Sequence, residues 1–285
     1  MNDMKVAVAQ IEIASLSKEE NRAAIERAVV DAAAQGCQLV VLPELSNTGF
    51  IRSYDASFAR VFWEAAEPHD GPLFRSLGAL ASRHRIAVVV GLAVRHPVIT
   101  GVLRNMSVLF AADGSRHEHV KVHLPRDEKR YFEEGAAFAV ADIASARLGM
   151  LVCADIAFPE AARCLALRGA ELIAVPMCAP TPANPVLYTG LAAARAYENQ
   201  AYVLIANRVG SDHGVRFGGG SVIAAPDGTV LATLASEPDM AVAEIAGGLL
   251  VDERLRQTRY RDRRPSTYGA ITQDEPVQHS ERKQK

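Results

Sequence analysis

The sequence predicts an α/β protein built on mixed sheets, and three observations carry that expectation. Short, nearly continuous apolar runs recur at 38–42 (QLVVL), 147–154 (RLGMLVCA) and 171–177 (ELIAVPM), the pattern of strands covered on both faces. Stretches with apolar residues at helical spacing lie between them. Asp-Gly turn signals at 112–114 and 226–228 join further strands into hairpins.

Taken in order, 6–13 alternates as a strand, and 18–35 is a helix that Gly36 ends in a left-handed cap. The strand 38–42 runs into Pro43-Glu44, which puts Glu44 at a strand's C-terminal end. A helix is predicted over 73–85, then strands over 86–94 and around 102–111, with Lys121 on the return strand after the Ala-Asp-Gly turn. The strand 147–154 places Cys153 where strand gives way to turn; Pro159 then opens a helix reaching Arg168, closed by Gly169. Strand 171–177, a helix near 187–199 and strand 201–207 repeat the rhythm, and 217–225 and 229–234 flank the last turn. From about Gly247 the chain becomes charge-rich (DERLRQTRYRDRR) and reads as a surface or partner-clasping tail. With no repeat, low-complexity tract or linker, one domain over 1–265 and a C-terminal tail over 266–285 are expected.

Composition narrows the function. Of 285 residues, 49% are hydrophobic and 22% charged, enough apolar material for one large core. A net charge of -2 with scattered basic residues supplies no field for gripping phosphates, so nucleic acid is not an expected partner. The start MNDMKVAVAQIEIA lacks the features of a secretory signal, and no apolar run approaches the roughly 20 residues needed to span a bilayer. No membrane partner is expected on the ground of those short apolar runs, and Cys37, Cys153, Cys164 and Cys178 are sparse and form no CxxC pair, which suits reduced thiols in a cytoplasm.

The chemistry-bearing candidates stand at strand ends, where an α/β sheet gathers groups from distant sequence. Glu44 lies in LPELSNTGF, Lys121 in EHVKVHLP and Cys153 in LVCADIAFPE. A cysteine hydrolase needs a thiol, a base to deprotonate it and a charge or dipole to hold the oxyanion, and these residues offer all three. Each also has a plain structural reading: a buried cysteine is commonly core, a glutamate can cap a helix, a lysine can snorkel.

These segments, in this order, resemble the nitrilase, or carbon-nitrogen hydrolase, superfamily. The likeness runs from VAVAQ through LPELSNTGF, KVHLPRDEKRYFEEG and CADIAFPEAARCLALRGAELIAVP to ARAYENQAYVLIANRVG and FGGGSVIAAPDG. It implies a four-layer αββα sandwich, assembled as a homodimer. It also implies a Glu-Lys-Cys triad with Glu44 as general base, Lys121 as oxyanion stabiliser and Cys153 as nucleophile. A supporting glutamate follows the lysine in the family, and Glu128 fills that place better than Glu133 or Glu134. The backbone N–H of Ala154 would be the second oxyanion donor. A thioester route needs no metal or organic cofactor.

The turn after the cysteine bears on substrate. Nitrile-cleaving relatives commonly carry Trp-Glu there, and relatives acting on N-carbamoyl amino acids often place arginines there, a bidentate task suited to carboxylates. This chain has Ala154-Asp155 followed by Ile156-Ala157-Phe158, closer to the amidase-like branch. Phe50, Tyr54, Trp63, Phe158 and Met177 are the expected pocket walls, suited to a neutral aliphatic or aromatic carboxamide. The alternatives are an N-carbamoyl amidohydrolase, a nitrilase, an acyl transferase, or a silent interaction module keeping only the fold. Four other features have structural readings. His117, His119 and His123 share a strand face with Lys121 but form no complete metal set; His123 is expected near the site, the other two against solvent or a neighbouring layer. Gly218-Gly219-Gly220 reads as a tight turn rather than a phosphate loop. Cys37 and Cys164 read as buried small hydrophobes, and Cys178, after a strand end, as a pocket-lining thiol.

Overall fold

The computed structural model describes residues 1–51, 55–184 and 186–273, with Asp127 described by its backbone alone. The first half runs β1 (Met4–Gln10), α1 (Lys18–Ala34), β2 (Leu39–Val41), α2 (Ala56–Ala65), α3 (Pro72–His84), β3 (Ala87–Arg95), β4 (Leu103–Phe110) and β5 (Arg116–Val120). The second runs β6 (Val140–Ile143), β7 (Ala146–Met150), α4 (Pro159–Leu167), β8 (Leu172–Met177), α5 (Leu187–Asn199), β9 (Tyr202–Asn207), β10 (Val209–Asp212), β11 (Val215–Gly218), β12 (Val222–Ala224), β13 (Val230–Thr233), β14 (Asp239–Ile245), α6 (Gly247–Arg256) and α7 (Arg259–Asp262).

Two six-stranded sheets result, ordered β14-β1-β2-β3-β4-β5 and β13-β12-β9-β8-β7-β6. Each has a parallel centre, β1-β2-β3 and β7-β8-β9, and antiparallel edges. Strand alternation assigns the layers. Val6, Val8, Leu39 and Val41 meet Leu172, Ala174, Tyr202 and Leu204 between the sheets. The intervening Ala7, Ala9 and Val40 face α1 and α3 through Ile25, Val29 and Leu77. Ile173 and Val175 face α4 and α5 through Leu165, Ala192 and Ala196. The fold is therefore the four-layer αββα sandwich. Among the described residues no helix is long and apolar enough to cross a membrane.

Several boundaries shift for local reasons. The strand read over 147–154 stops at Met150, because its ladder with β8 ends at Ala174 and a 3-10 turn over Cys153–Ala157 follows. Lys121 lies just past the end of β5 rather than within it. The strand read over 217–225 is two strands, since Gly219 and Gly220 take φ of 68° and 78° between β11 and β12. The tail expected from Gly247 is corrected over its first part: α6 buries Leu250 at 2% exposure in the inter-sheet core, and the Gln200 amide donates to the Glu253 carbonyl at 2.6 Å. One buried leucine and one hydrogen bond in a charge-rich stretch dock a helix that follows directly on β14. The elements α2, β6, β10 and β14 have no counterpart in the sequence reading.

Candidate active site

The ends of strands from both sheets meet. Chain leaving β2 passes through Pro43 to Glu44, chain leaving β8 reaches Cys178, and the Glu44 N–H donates to the Met177 carbonyl at 3.3 Å. Gly91 of β3 makes this approach possible: a Cβ there would lie 2.3 Å from the Glu44 Cα. Gly135 serves the same purpose beside Lys121, where a Cβ would fall 2.1 Å from the Val120 carbonyl oxygen. Its N–H instead donates to the Lys121 carbonyl at 2.8 Å.

Lys121 is wholly buried and its Nζ donates at 2.8 Å both to Glu44 Oε1 and to Glu128 Oε2. Glu44 is held from two further directions, by Asn105 Nδ2 on Oε1 at 2.7 Å and by the Cys178 N–H on Oε2 at 2.9 Å. Asn105, on β4, is a residue the sequence reading missed; nothing local distinguishes it from other polar residues on a strand. Glu133 and Glu134 turn away, to Arg104 and Lys129, leaving Glu128 as the glutamate that reaches Lys121. Burial opposes the charge on Lys121, but Glu44, Cys153 and Glu128 outweigh it and the ammonium is held above its ordinary range.

Two carboxylates share that one ammonium, and Glu128 gives way. Burial, opposed by Lys121 but assisted by the like charge of Glu44, pushes its carboxyl up to about 7. Between its ordinary value of 4.5 and about 7, the folded chain keeps a proton that the unfolded chain has released. Stability contributed by this group is therefore present below that window and is lost as pH rises through it. Glu128→Gln keeps the shape and cannot ionise, so urea unfolding of this variant should show a flatter fall in stability from pH 4.5 to 7 than wild type.

Cys153 opens the 3-10 turn with φ of 45°, a strained conformation for a residue with a Cβ. Asp155, fully buried, fastens that turn. Its Oδ2 accepts from the Val152 N–H at 3.0 Å and from His119 Nε2 at 3.2 Å, and its Oδ1 accepts from the His123 N–H at 2.9 Å and Nδ1 at 2.7 Å. His119 and His123 flank Lys121, so one carboxylate ties the cysteine turn to the lysine segment. His119 reaches the neighbouring layer and His123 sits near the turn, as expected. Burial first, then the charge of Glu44, holds the Cys153 thiol well above its ordinary range despite Lys121. The resting sulfur is a thiol, and a thiolate forms only when a base removes its proton.

A cavity of about 470 Å³ opens over this cluster, lined by Glu44, Glu128 and Cys153 together with apolar Leu45, Ile51 and Pro180. Phe50 lines it as expected and meets Phe217 edge-on at 5.5 Å between centroids. Cys178 also lines it, its thiol pushed up to about 12 by burial and by Glu44. Three expected walls lie elsewhere. Trp63 sits on α2 one residue past buried Phe62, hence turned about 100° away from that face, and lines a separate hollow under the Arg95 guanidinium. Phe158 is 42% exposed and stacks on His123 at 3.7 Å. Met177 follows strand alternation into the core beneath α4 and α5. Tyr54 falls outside the described residues. Ala154, partly exposed, follows the cysteine within the turn. Cys37 is buried as read, whereas Cys164 is exposed because α4 buries Ala161, Ala162, Leu165 and Ala166 instead. A wider groove of about 650 Å³ between α1 and β1, lined by Arg27, Asp31 and Met240, contains none of the cluster.

Comparison with known proteins gives this arrangement a context. The carbon-nitrogen hydrolase family model matches residues 5–252. The chain is 34% identical to a protein named nitrilase from Pyrococcus abyssi over 269 residues, covering 93% of this chain and 99% of the relative. It is 34% identical to an (R)-stereoselective amidase from a Pseudomonas species over 236 residues, 82% of each. Among solved structures, an amidase of Nesterenkonia sp. AN1, a double mutant in complex with acrylamide, superposes with a TM-score of 0.79 at 27% identity, covering 94% of this chain and 97% of that one. A further structure of that amidase carries the acetamide moiety of fluoroacetamide covalently on its active-site cysteine.

Proposed function

Because the chain belongs to the carbon-nitrogen hydrolase family, we propose that it is an amidase that hydrolyses a small carboxamide to the carboxylic acid and ammonia through a thioester on Cys153. The observation that carries this reading is the opening of Cys153, Glu44 and Glu128 onto one cavity, with Lys121 buried between the two carboxylates.

In this mechanism Glu44 takes the thiol proton as the sulfur attacks the amide carbon. The oxyanion is met by Lys121 and by the backbone N–H of Ala154. Lys121 has three N–H bonds; Glu44 and Glu128 engage two directions, leaving one for the substrate oxygen. Collapse expels the nitrogen, which receives the proton from Glu44 and departs as ammonia. Water then surrenders a proton to Glu44 and attacks the thioester, releasing the acid and restoring the thiol. Glu128 and Asn105 act through others, fixing Lys121 and Glu44. The small side chain of Ala154 leaves room near the acyl carbon. The same reading takes residues 1–265 as one catalytic domain of a cytoplasmic homodimer, supported by the resemblance and by four free thiols.

A nitrilase reading has one observation in its favour, the name of the Pyrococcus abyssi relative. Ammonia release from a panel of primary amides, nitriles and N-carbamoyl compounds separates the two. Turnover of amides is expected; turnover of nitriles alone would overturn the proposal.

A further inference from the structure

The cavity over Cys153 carries one cation that the cluster beneath it does not use. Arg126 lines the cavity between Pro125 and Glu128 and is exposed. Among the described residues its guanidinium has no hydrogen-bond or ion-pair partner. Lys121, by contrast, is buried and engaged by two carboxylates.

The placement of Arg126 is specified by its backbone. Its φ of 51° lies in the left-handed region, which costs a residue with a side chain on the order of 1 kcal/mol and persists where surrounding structure enforces it. It opens the 3-10 turn Arg126–Arg130, whose Glu128 is bonded to Lys121. Arg126 is thus tethered two residues from Glu128, in a cavity whose other lining is apolar Leu45, Phe50, Ile51 and Pro180 together with Glu44, Glu128 and the two thiols. The two carboxylates of the cavity are both engaged by Lys121 rather than by Arg126, which leaves the guanidinium available to an added anion, and a guanidinium fork matches a carboxylate bidentately.

We propose that Arg126 is a specificity-determining residue that binds a carboxylate at the far end of the substrate, so that the preferred amides are short, carboxylate-bearing carboxamides rather than neutral ones. This rests on the amidase reading above. It also replaces the neutral substrate expected from the sequence. That expectation rested on apolar pocket walls, and the turn after the cysteine, where an arginine was sought for N-carbamoyl amino acids, has none; Arg126 arrives instead from the segment after Lys121, 27 positions earlier than Cys153.

Succinamic acid and butyramide differ at the far end by a carboxylate against a methyl group and serve as probes. Wild type is expected to favour succinamate. In Arg126→Gln the ratio of kcat/KM for succinamate over butyramide should fall roughly 10- to 100-fold, the worth of a charged hydrogen bond, mainly through KM. Arg126→Lys should recover part of it. An unchanged ratio would overturn the proposal. Calorimetric titration of Cys153→Ala with succinamate, with and without Arg126→Gln, reads the same contact without turnover. If wild type turns over neither amide while Cys153→Ala binds succinamate only with Arg126 present, the amidase reading falls and the carboxylate site stands. Equal binding with and without Arg126 refutes the site whatever the turnover.

Discussion

Cys153→Ala should lose amide turnover by roughly four to six orders of magnitude, the loss expected when a covalent nucleophile is removed, while the protein stays folded. The two halves of that expectation have separate causes. The sulfur is the atom that bonds to the acyl carbon, and no neighbouring group replaces it: the Cys178 thiol, pushed up to about 12, belongs to a different strand end. Alanine and cysteine both carry a Cβ, so the strained φ of 45° is unchanged, and Asp155 still fastens the turn through Val152, His119 and His123. Steady-state ammonia release measures the first half and a thermal melt the second. Cys178→Ala, which changes a cavity wall, should cost far less activity.

Lys121→Met should be damaging in two ways at once. Methionine matches the lysine stem in length but removes the ammonium, leaving buried Glu44 and half-buried Glu128 without their cation. Breaking a buried ion pair from one side costs roughly 3–5 kcal/mol, because a buried charge is left uncompensated. The loss should depend on pH. In wild type Glu128 ionises as pH rises through about 7; in the variant, without the cation that favours its charge, it should hold its proton to still higher pH. The stability deficit should therefore be large in alkaline buffer and shrink as pH falls, which urea unfolding on both sides of neutrality would reveal. Turnover should disappear at both ends of that range, since the oxyanion loses its charged partner even where the fold recovers. A variant that recovered activity together with stability would show that Lys121 serves the fold alone.

The layers of this fold were legible because apolar runs and helical periodicity respond to burial, and burial is what the layers consist of. Val6, Val40 and Ile173 are apolar for reasons that a sequence window contains. Strand ends were legible too, which is why Glu44, Lys121 and Cys153 could be picked out and why the structure brings two of them into one ion-pair cluster beneath the third's cavity. The cavity wall was harder to read. Leu45 and Ile51 come from the loop after β2, Arg126 from the segment after β5 and Pro180 from the loop after β8, and nothing in a single segment records which loops face one another. Trp63 shows the reverse error: a large aromatic attracts attention, yet α2 buries Phe58 and Phe62 and turns Trp63 to another surface. Asn105 and Asp155 escaped for a third reason. Their importance lies in partners from distant sequence, Glu44 in one case and His119 and His123 in the other, and such partners appear only once the sheets are face to face.

The central claim, that the reaction passes through an acyl group on Cys153, is open to direct weighing. Intact-mass analysis of protein quenched during turnover of a primary amide should show wild type heavier by one acyl group less a hydrogen, with the added mass on the peptide containing Cys153 and none on Cys153→Ala. Hydrolysis proceeding at an undiminished rate in Cys153→Ala, or an acyl group carried on any other residue, would contradict the account.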